Sequence, residues 1–423
     1  MSWTLLGIFF GLSLLGVPLA VSLGLAATAT LFLYDLPVSI VSQAMFNAMN
    51  SFLLVAVPLF ILAGAVMERG GVSDRIFAAA NAVVGRWRGG LGQVNIIASM
   101  IFGGISGSSV ADVSGLGPLE IKAMTDHKYP RPYAAAMTMI TATMASVIPP
   151  SILMVIAAAT AGQSIGASLA GGLGPAVLMG VAFMVLNYWI CVRNGYGMLS
   201  ILSLRQAARL VLVAIPALGA PVIILGGMFT GFVTPTEAAG LAVLYTLAVG
   251  AFFYREVKWG ELPKMLIRTG ITTGTILFIA MSAAAATYIF TIDGLPIRVS
   301  RAILSLSDDP TMVLLLMGII FVVVGMFMDI VAAILILAPV LMPTVAATGI
   351  HPIHFVVFLV TALSLGLATP PVGVCLFATA NVSGLSVEQI ARAAIPFYLI
   401  MLGVLVALAA FPSITLLPAL ALT

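Results

Sequence analysis

FGGISGSSVADVSGLGPLE, Phe102–Glu120, sets five glycines, four serines and an aspartate into an otherwise apolar chain. Glycine is a poor helix former and serine competes for backbone hydrogen bonds, so the run should interrupt a helix. Only 7% of the 423 residues are charged, which makes the carboxylate of Asp112 conspicuous. Composition says in what medium the interruption lies. Apolar residues make up 62% of the chain and mean hydropathy is +1.21; a soluble domain has roughly a quarter charged residues. Stretches such as Leu210–Leu225, Gly240–Phe253 and Met312–Met328 need a bilayer or an equally apolar core. The chain reads as an all-α polytopic membrane protein. Cys191 and Cys375 lie in apolar segments and suggest neither a disulfide nor a metal site. No basic stripe with interleaved aromatics points to nucleic acid. The first residues read as a retained helix, without the basic start and small-residue cleavage site of a signal.

Basic residues punctuate the apolar segments in four clusters: Arg69, Arg75, Arg86 and Arg88; Lys122, Lys128 and Arg131; Arg193, Arg205 and Arg209; Arg255, Lys258, Lys264 and Arg268. The positive-inside rule assigns all four to the cytoplasm. Residues 89–121 then begin and end on one side, and these 33 residues are short for two crossings of about 20 residues each. A re-entrant helical hairpin fits, with SGSSVAD (Ser106–Asp112) at its tip. Irregular backbone at membrane depth needs a protein or watery lining, so the tip is expected to line a cavity. Five crossings follow, at 132–163, 168–191, 206–227, 236–254 and 270–290, which leaves Asp293 outside. A second hairpin, 309–347, then starts outside, and no Lys or Arg follows it up to Pro352. Val72–Trp87 and Pro296–Leu306, just before the hairpins, read as amphipathic interfacial helices.

A constant offset of 221 residues superposes helix-breaking positions. Gly104 falls on Gly325, Pro118 on Pro339, Pro149 and Pro150 on Pro370 and Pro371, Pro175 on Pro396, and Ser108 on Asp329. The odd number of crossings makes the two copies opposite in orientation. This is the signature of an inverted-topology repeat, with sites expected near the midplane at broken helices. The first copy, 1–195, is expected to hold scaffold helices (1–68), an arm helix (72–88), the hairpin (89–121) and a broken helix (132–163). The second, 196–423, holds scaffold helices (206–254), an arm helix (296–306), a hairpin (309–347) and a broken helix (353–381). A hairpin joined to such an arm can move as a unit against a fixed frame.

The proline pairs in ASVIPPS (Ala145–Ser151) and GLATPPVG (Gly366–Gly373) should each unwind a turn, because proline lacks a donor and clashes with the carbonyl four residues back. The freed carbonyls need partners, and oxygen donors suit hard cations. We therefore expect one cation site per copy. The first uses Gly103, Gly104, Ser106, Ala145, Ile148 and Pro150; the second uses Gly325, Gly366, Thr369 and Val372. With few carboxylates available, a monovalent ion such as Na⁺ fits better than Ca²⁺. Ser108, Ser109, Asp112, Ser146 and Asp329 are the candidates for substrate contact, since an intramembrane carboxylate marks a functional site by default. Glu237, in TPTEAAG, is a third candidate buried carboxylate, placed early in a helix after Pro235. Gly104–Gly107 also matches a GxSG serine-nucleophile pattern. A base would be needed, and His127, His351 and His354 all read as loop residues, so an enzyme is not expected.

Four stretches resemble the large membrane subunit of tripartite ATP-independent periplasmic (TRAP) transporters: Val57–Asp112, GFVTPTEAAG (Gly231–Gly240), GMFMDIVAAILILAPVLMP (Gly325–Pro343) and LGLATPPVG (Leu365–Gly373). The resemblance covers essentially the whole chain. It implies an ion-transporter-like fold, a scaffold with an elevator-type transport domain, and secondary active symport driven by a Na⁺ gradient through two or more coupling ions. It also implies a separate small membrane subunit, a periplasmic substrate-binding protein and a small organic-acid substrate such as a C4-dicarboxylate or sialic acid. The expected location is the bacterial inner membrane, with a cytoplasmic N-terminus and a periplasmic C-terminus. The alternative is a stand-alone Na⁺-coupled carboxylate transporter that needs no binding protein.

Overall fold

The computed structural model describes residues 1–50, 55–196 and 203–421, so the expected join of the two halves after residue 195 abuts residues outside those described. The described chain is helical throughout. It opens with two short helices, α1 (Ser2–Leu14) and α2 (Leu19–Leu33), then α3 (Ser39–Met49) and α4 (Ala56–Arg69). Residues 51–54, inside the expected first scaffold region, lie outside the described residues. The arm is α5 (Val72–Val84), bent 72° from α4. The bend is made at Gly70–Gly71, where Gly71 has φ +67°, a conformation L side chains seldom adopt.

The first hairpin is α6 (Gly90–Ser106), α7 (Ser109–Gly115) and α8 (Gly117–Asp126). It runs five residues past the expected end at 121, because Pro118 near the start of α8 restarts the helix. The broken helix is α9 (Arg131–Ala142), a 3₁₀ turn (Thr143–Ser146) and α10 (Ile152–Thr160). Then come α11 (Ile165–Asn194), α12 (Leu204–Phe229), α13 (Pro235–Ala248) and the long α14 (Leu262–Ile292). The second arm is α15 (Leu295–Leu304), its hairpin α16 (Pro310–Phe327) and α17 (Ile330–Thr348), and its broken helix α18 (Pro352–Ala368) and α19 (Val374–Ser383). The chain closes with α20 (Val387–Ala410) and α21 (Ser413–Ala421). Among the described residues, seven helices are long and apolar enough to cross a membrane, or eight if the bent α4–α5 pair counts. The protein is therefore a multi-pass membrane protein.

The two broken helices form the centre. Residues 133–142 of α9 and 353–368 of α18 are buried on all faces, as expected of helices that are apolar all round. α16 packs on α18, α20 on α9 and α15 on α17. By contrast α12 and α13 leave Leu212, Ile215, Val222, Leu241 and Leu244 exposed, suited to lipid or another membrane subunit.

The start of the chain departs from expectation. α1 and α2 have 13 and 15 residues, about 20 Å each at 1.5 Å per residue, against a hydrocarbon core of about 30 Å. The Thr4 and Tyr34 hydroxyls lie 3.1 Å apart, so the pair begins and ends at one level. At that level Ser2 donates to the Asp293 carboxylate from its backbone N–H (3.0 Å) and its hydroxyl (2.6 Å). The basic end of α4 meets the opposite end of α14, where Arg69 lies 3.4 Å from Glu261. A cytoplasmic N-terminus and an outer Asp293 therefore cannot both hold, because hydropathy cannot tell two half-length arms from crossings. Two further readings are corrected. His354 lies in the buried first turn of α18, against Thr415, and is not a loop residue. Glu237 is exposed and forms a capping box with Thr234 at the start of α13, its carboxylate accepting from Thr234 N–H at 2.8 Å.

Candidate functional site

Each hairpin tip rests on the break of its own half. At the first tip α6 ends at Gly107 (φ +59°) and Ser108 caps α7, its hydroxyl accepting from the Ala111 N–H. A Cβ on Gly103 would sit 2.8 Å from the Ala145 Cα, one on Gly104 3.0 Å from the Pro149 carbonyl, and one on Gly107 2.9 Å from the Pro150 carbonyl. Only glycine allows this approach. The Ser109 and Ser146 hydroxyls, one from the tip and one from the break, lie 2.6 Å apart.

The second tip repeats the arrangement. α16 ends at Phe327 and Asp329 caps α17, accepting from the N–H groups of Val331 (2.9 Å) and Ala332 (3.3 Å). A Cβ on Gly366 would fall 2.6 Å from the Gly325 Cα. The Pro149–Pro150 and Pro370–Pro371 bonds are both cis.

Hydrogen-bond accounting separates the free oxygens from those already used. Among the described residues, the carbonyls of Gly104, Ala145, Ile148 and Pro150 at the first break accept no hydrogen bond, and neither do those of Gly325 and Val372 at the second. The Gly103 carbonyl accepts from Gly107 N–H and that of Gly366 from Thr369 N–H. The Thr369 hydroxyl donates to Leu365 O at 2.7 Å and keeps its lone pairs. Ser106 Oγ lies 3.5 Å from Ser108 O. Both clusters are neutral and all oxygen, which fits a hard monovalent cation. No group of three His, Cys, Asp or Glu suited to a transition metal occurs among the described residues.

Between the tips lies a cavity of about 600 Å³. Ser106, Ser108, Ser109 and Ser146 line it from one side and Asp329, Ile330 and Val331 from the other. Its far end is lined by Glu68 and Arg69 of α4 and by Glu261, Lys264 and Arg268 at the start of α14. Of the expected substrate contacts, Ser108, Ser109, Ser146 and Asp329 thus meet in one cavity. Asp112 does not: it is 1% exposed and faces the interior behind the tip, away from the lining. Ser114, one turn after Val110, lines the cavity in its place. The sequence reading missed Lys264, Arg268, Thr272 and Ile276. Their i, i+4 spacing along α14 was the signal that could have found them. Among the described residues no histidine lines the cavity.

Residues 6–414 match the family described as "Tripartite ATP-independent periplasmic transporter, DctM component". The large permease protein SiaM of a sialic acid TRAP transporter from Vibrio cholerae is 36% identical, covering 97% of this chain and 96% of SiaM. The C4-dicarboxylate TRAP transporter large permease protein DctM from Pseudomonas aeruginosa is 37% identical over 93% of each chain. The isethionate TRAP transporter permease protein DctMQ from Oleidesulfovibrio alaskensis is 36% identical, and this chain spans 65% of its length. Among solved structures, the Alcanivorax borkumensis YdaH transporter matches with a TM-score of 0.62 at 14% identity, covering 88% of this chain and 87% of its own, a likeness of fold. Full-length permease relatives and a family match across almost every residue place the chain among the DctM components, the large permease subunits of TRAP transporters.

Proposed function

We propose that this permease carries out Na⁺-coupled secondary uptake of a small organic anion across the bacterial inner membrane. The observation that carries the reading is the cavity held between two tips, each with unused carbonyl oxygens beside it. Na⁺ bound at Gly104, Ala145, Ile148 and Pro150, and at Gly325, Val372 and Thr369, would supply positive charge at the cavity wall. Serine hydroxyls and the Asp329 cap would then orient a carboxylate substrate. Two cations offset an anion most strongly where the dielectric is low. A binding protein delivers the substrate from the periplasm and a separate small membrane subunit joins the permease, in keeping with the family's description as a tripartite periplasmic transporter.

Because the cavity reaches the basic ends of α4 and α14, the conformation is read as open to the cytoplasm. The hairpins and broken helices move as an elevator between this state and an outward one. By the same rule the Asp293 level, and with it the N-terminus, lies on the periplasmic side.

The test is uptake into proteoliposomes that hold both membrane subunits, with the cognate binding protein outside and labelled organic acids. Uptake should follow an inward Na⁺ gradient and stop without the binding protein. Uptake indifferent to Na⁺ would overturn the coupling, and uptake without the binding protein would favour the stand-alone carrier.

A further inference from the structure

At the root of the first arm, one guanidinium joins three parts of the fold. Arg75, in the first turn of α5, donates from Nη1 to the Gly71 carbonyl and from Nη2 to Glu256 Oε1, each at 2.6 Å. Its guanidinium carbon lies 4.0 Å from the centre of the Tyr254 ring, and the Tyr254 hydroxyl donates to the Val213 carbonyl of α12 at 2.8 Å. Gly71 stands where α4 bends into α5. A Cβ there would fall 1.7 Å from Glu256 Oε2 and 2.4 Å from Arg75 Nη1, so the ion pair lies on the bare backbone of the bend.

Glu256 is held from its own side as well. Its N–H and that of Val257 both donate to the Gly250 carbonyl, at 3.0 and 3.2 Å, in the π-helical turn Val249–Phe253 that ends α13. Arg255, just before it, takes φ +57°, a left-handed conformation that is costly for a residue with a Cβ. A lone exposed ion pair contributes little. Here a planar fork binds a carbonyl and a carboxylate at once and stacks on a ring, which an ammonium cannot do. The bend thus has a cross-brace from α5 to α12 and to the end of α13. Beside the brace a second cavity, of about 310 Å³, lies between α5 and α12, walled by Ala78, Leu210 and Val213. The arm has room to move at the point where the brace holds it.

We propose that Arg75 is a positioning residue for transport: through Glu256 and Tyr254 it sets the angle of the first arm, and with it the placement of the first hairpin. α5 packs against α6, the first helix of that hairpin, so a change of arm angle is carried toward the tip. With the brace open, the arm turns about Gly70–Gly71 into the cavity beside it. The consequence for uptake rests on the transport reading above, whereas the brace itself rests on its contacts alone.

The direct test is a distance measurement by pulsed EPR on the purified permease in lipid. Spin labels are carried on Val83→Cys of α5 and Leu244→Cys of α13, both exposed positions; Cys191 and Cys375 are buried and stay in place. With Arg75 intact the labels should give one narrow peak. Arg75→Gln and Glu256→Gln should each broaden or shift it in protein that still folds, as judged by Tm. Arg75→Lys should do the same, since it keeps the charge without the fork. The Arg75→Gln, Glu256→Gln double variant should match the singles, as residues acting through one contact do. Should Arg75→Gln fail to fold, Glu256→Gln and Tyr254→Leu report on the same brace. Arg69→Gln, which breaks the neighbouring pair with Glu261, should leave the peak as it is. A peak unchanged in every brace variant, one kept by Arg75→Lys, or equal broadening in Arg69→Gln overturns the proposal. In proteoliposomes Arg75→Gln should lose most of the maximal uptake rate, and a wild-type rate beside a broadened peak would equally overturn it. Because the distances need neither Na⁺ nor substrate, the brace and the transport reading fail separately.

Discussion

Single residues at the tips carry the tightest constraints. A methyl group at position 366 would meet the Gly325 Cα at 2.6 Å, backbone against backbone, with no flexible side chain to give way. Gly366→Ala should therefore destabilise the protein by about 1–3 kcal/mol, the usual cost of overpacking, and abolish Na⁺-dependent uptake. A thermal melt with and without Na⁺ checks both. An unchanged Tm would show that hairpin and break are not in contact. The glycines and prolines at the two tips and breaks were legible in the sequence as helix breakers, each for a local reason. The side on which Asp112 faces was not. Ser108 and Asp112 are four residues apart, the spacing of one face in a continuous helix. In the fold Ser108 caps α7 at the cavity while Asp112 is buried behind the tip, and that choice belongs to the packing of α7 on α6, α9 and α19.

Among the elements, α14 shows how one helix can grade a path. Lys264, Arg268, Thr272 and Ile276 follow each other at single-turn spacing along the cavity, charged at its mouth and apolar in its depth. The charged end should draw an organic anion from the tips toward the exit. Lys264→Gln with Arg268→Gln is expected to slow substrate release about tenfold at low ionic strength, within the 10–10³ range of steering effects, and the defect should shrink as salt rises. Counterflow rates measured at two salt concentrations test this; a defect independent of salt would assign the pair a structural role. The bounds of several helices lie close to where the sequence put helix breaks. The second hairpin was expected at 309–347 and its helices span Pro310–Thr348; the second broken helix was expected at 353–381 and spans Pro352–Ser383. Proline and glycine punctuate each of these boundaries. The α14 stripe was not read, since an amphipathic stripe on a membrane helix is weak against an apolar background.

At the scale of the whole molecule, one polar tie joins the beginning of the chain to its middle. Ser2 holds Asp293, and Arg298 also pairs with it. The Ser2 hydroxyl, then the Ser2 N–H and the Arg298 guanidinium, hold the Asp293 carboxyl below the usual carboxylate range. A depressed folded-state pKa contributes stability above the unfolded value, near 3.9, and that contribution is lost as pH falls through the folded value. Asp293→Asn should therefore lower Tm at pH 7, with a cost of roughly 1–2 kcal/mol. The gap from wild type should narrow on acidification below about pH 4. Melts of both proteins at pH 7 and pH 3.5 check it, and a gap that widens in acid would refute the assignment. Membrane class followed from composition. The tie between Ser2 and Asp293 did not, because it joins residues 291 apart in the chain.

The glycine contacts at the two tips also bear on how an ion could arrive. A Cβ on Gly366 would overlap the Gly325 backbone, and one on Gly103 would overlap Ala145, so tip and break pack backbone against backbone. A Na⁺ ion bound there as proposed would exchange its water shell for carbonyl oxygens. On that footing the permease should rank alkali ions by size and hydration energy, with sodium admitted and potassium refused at the threshold.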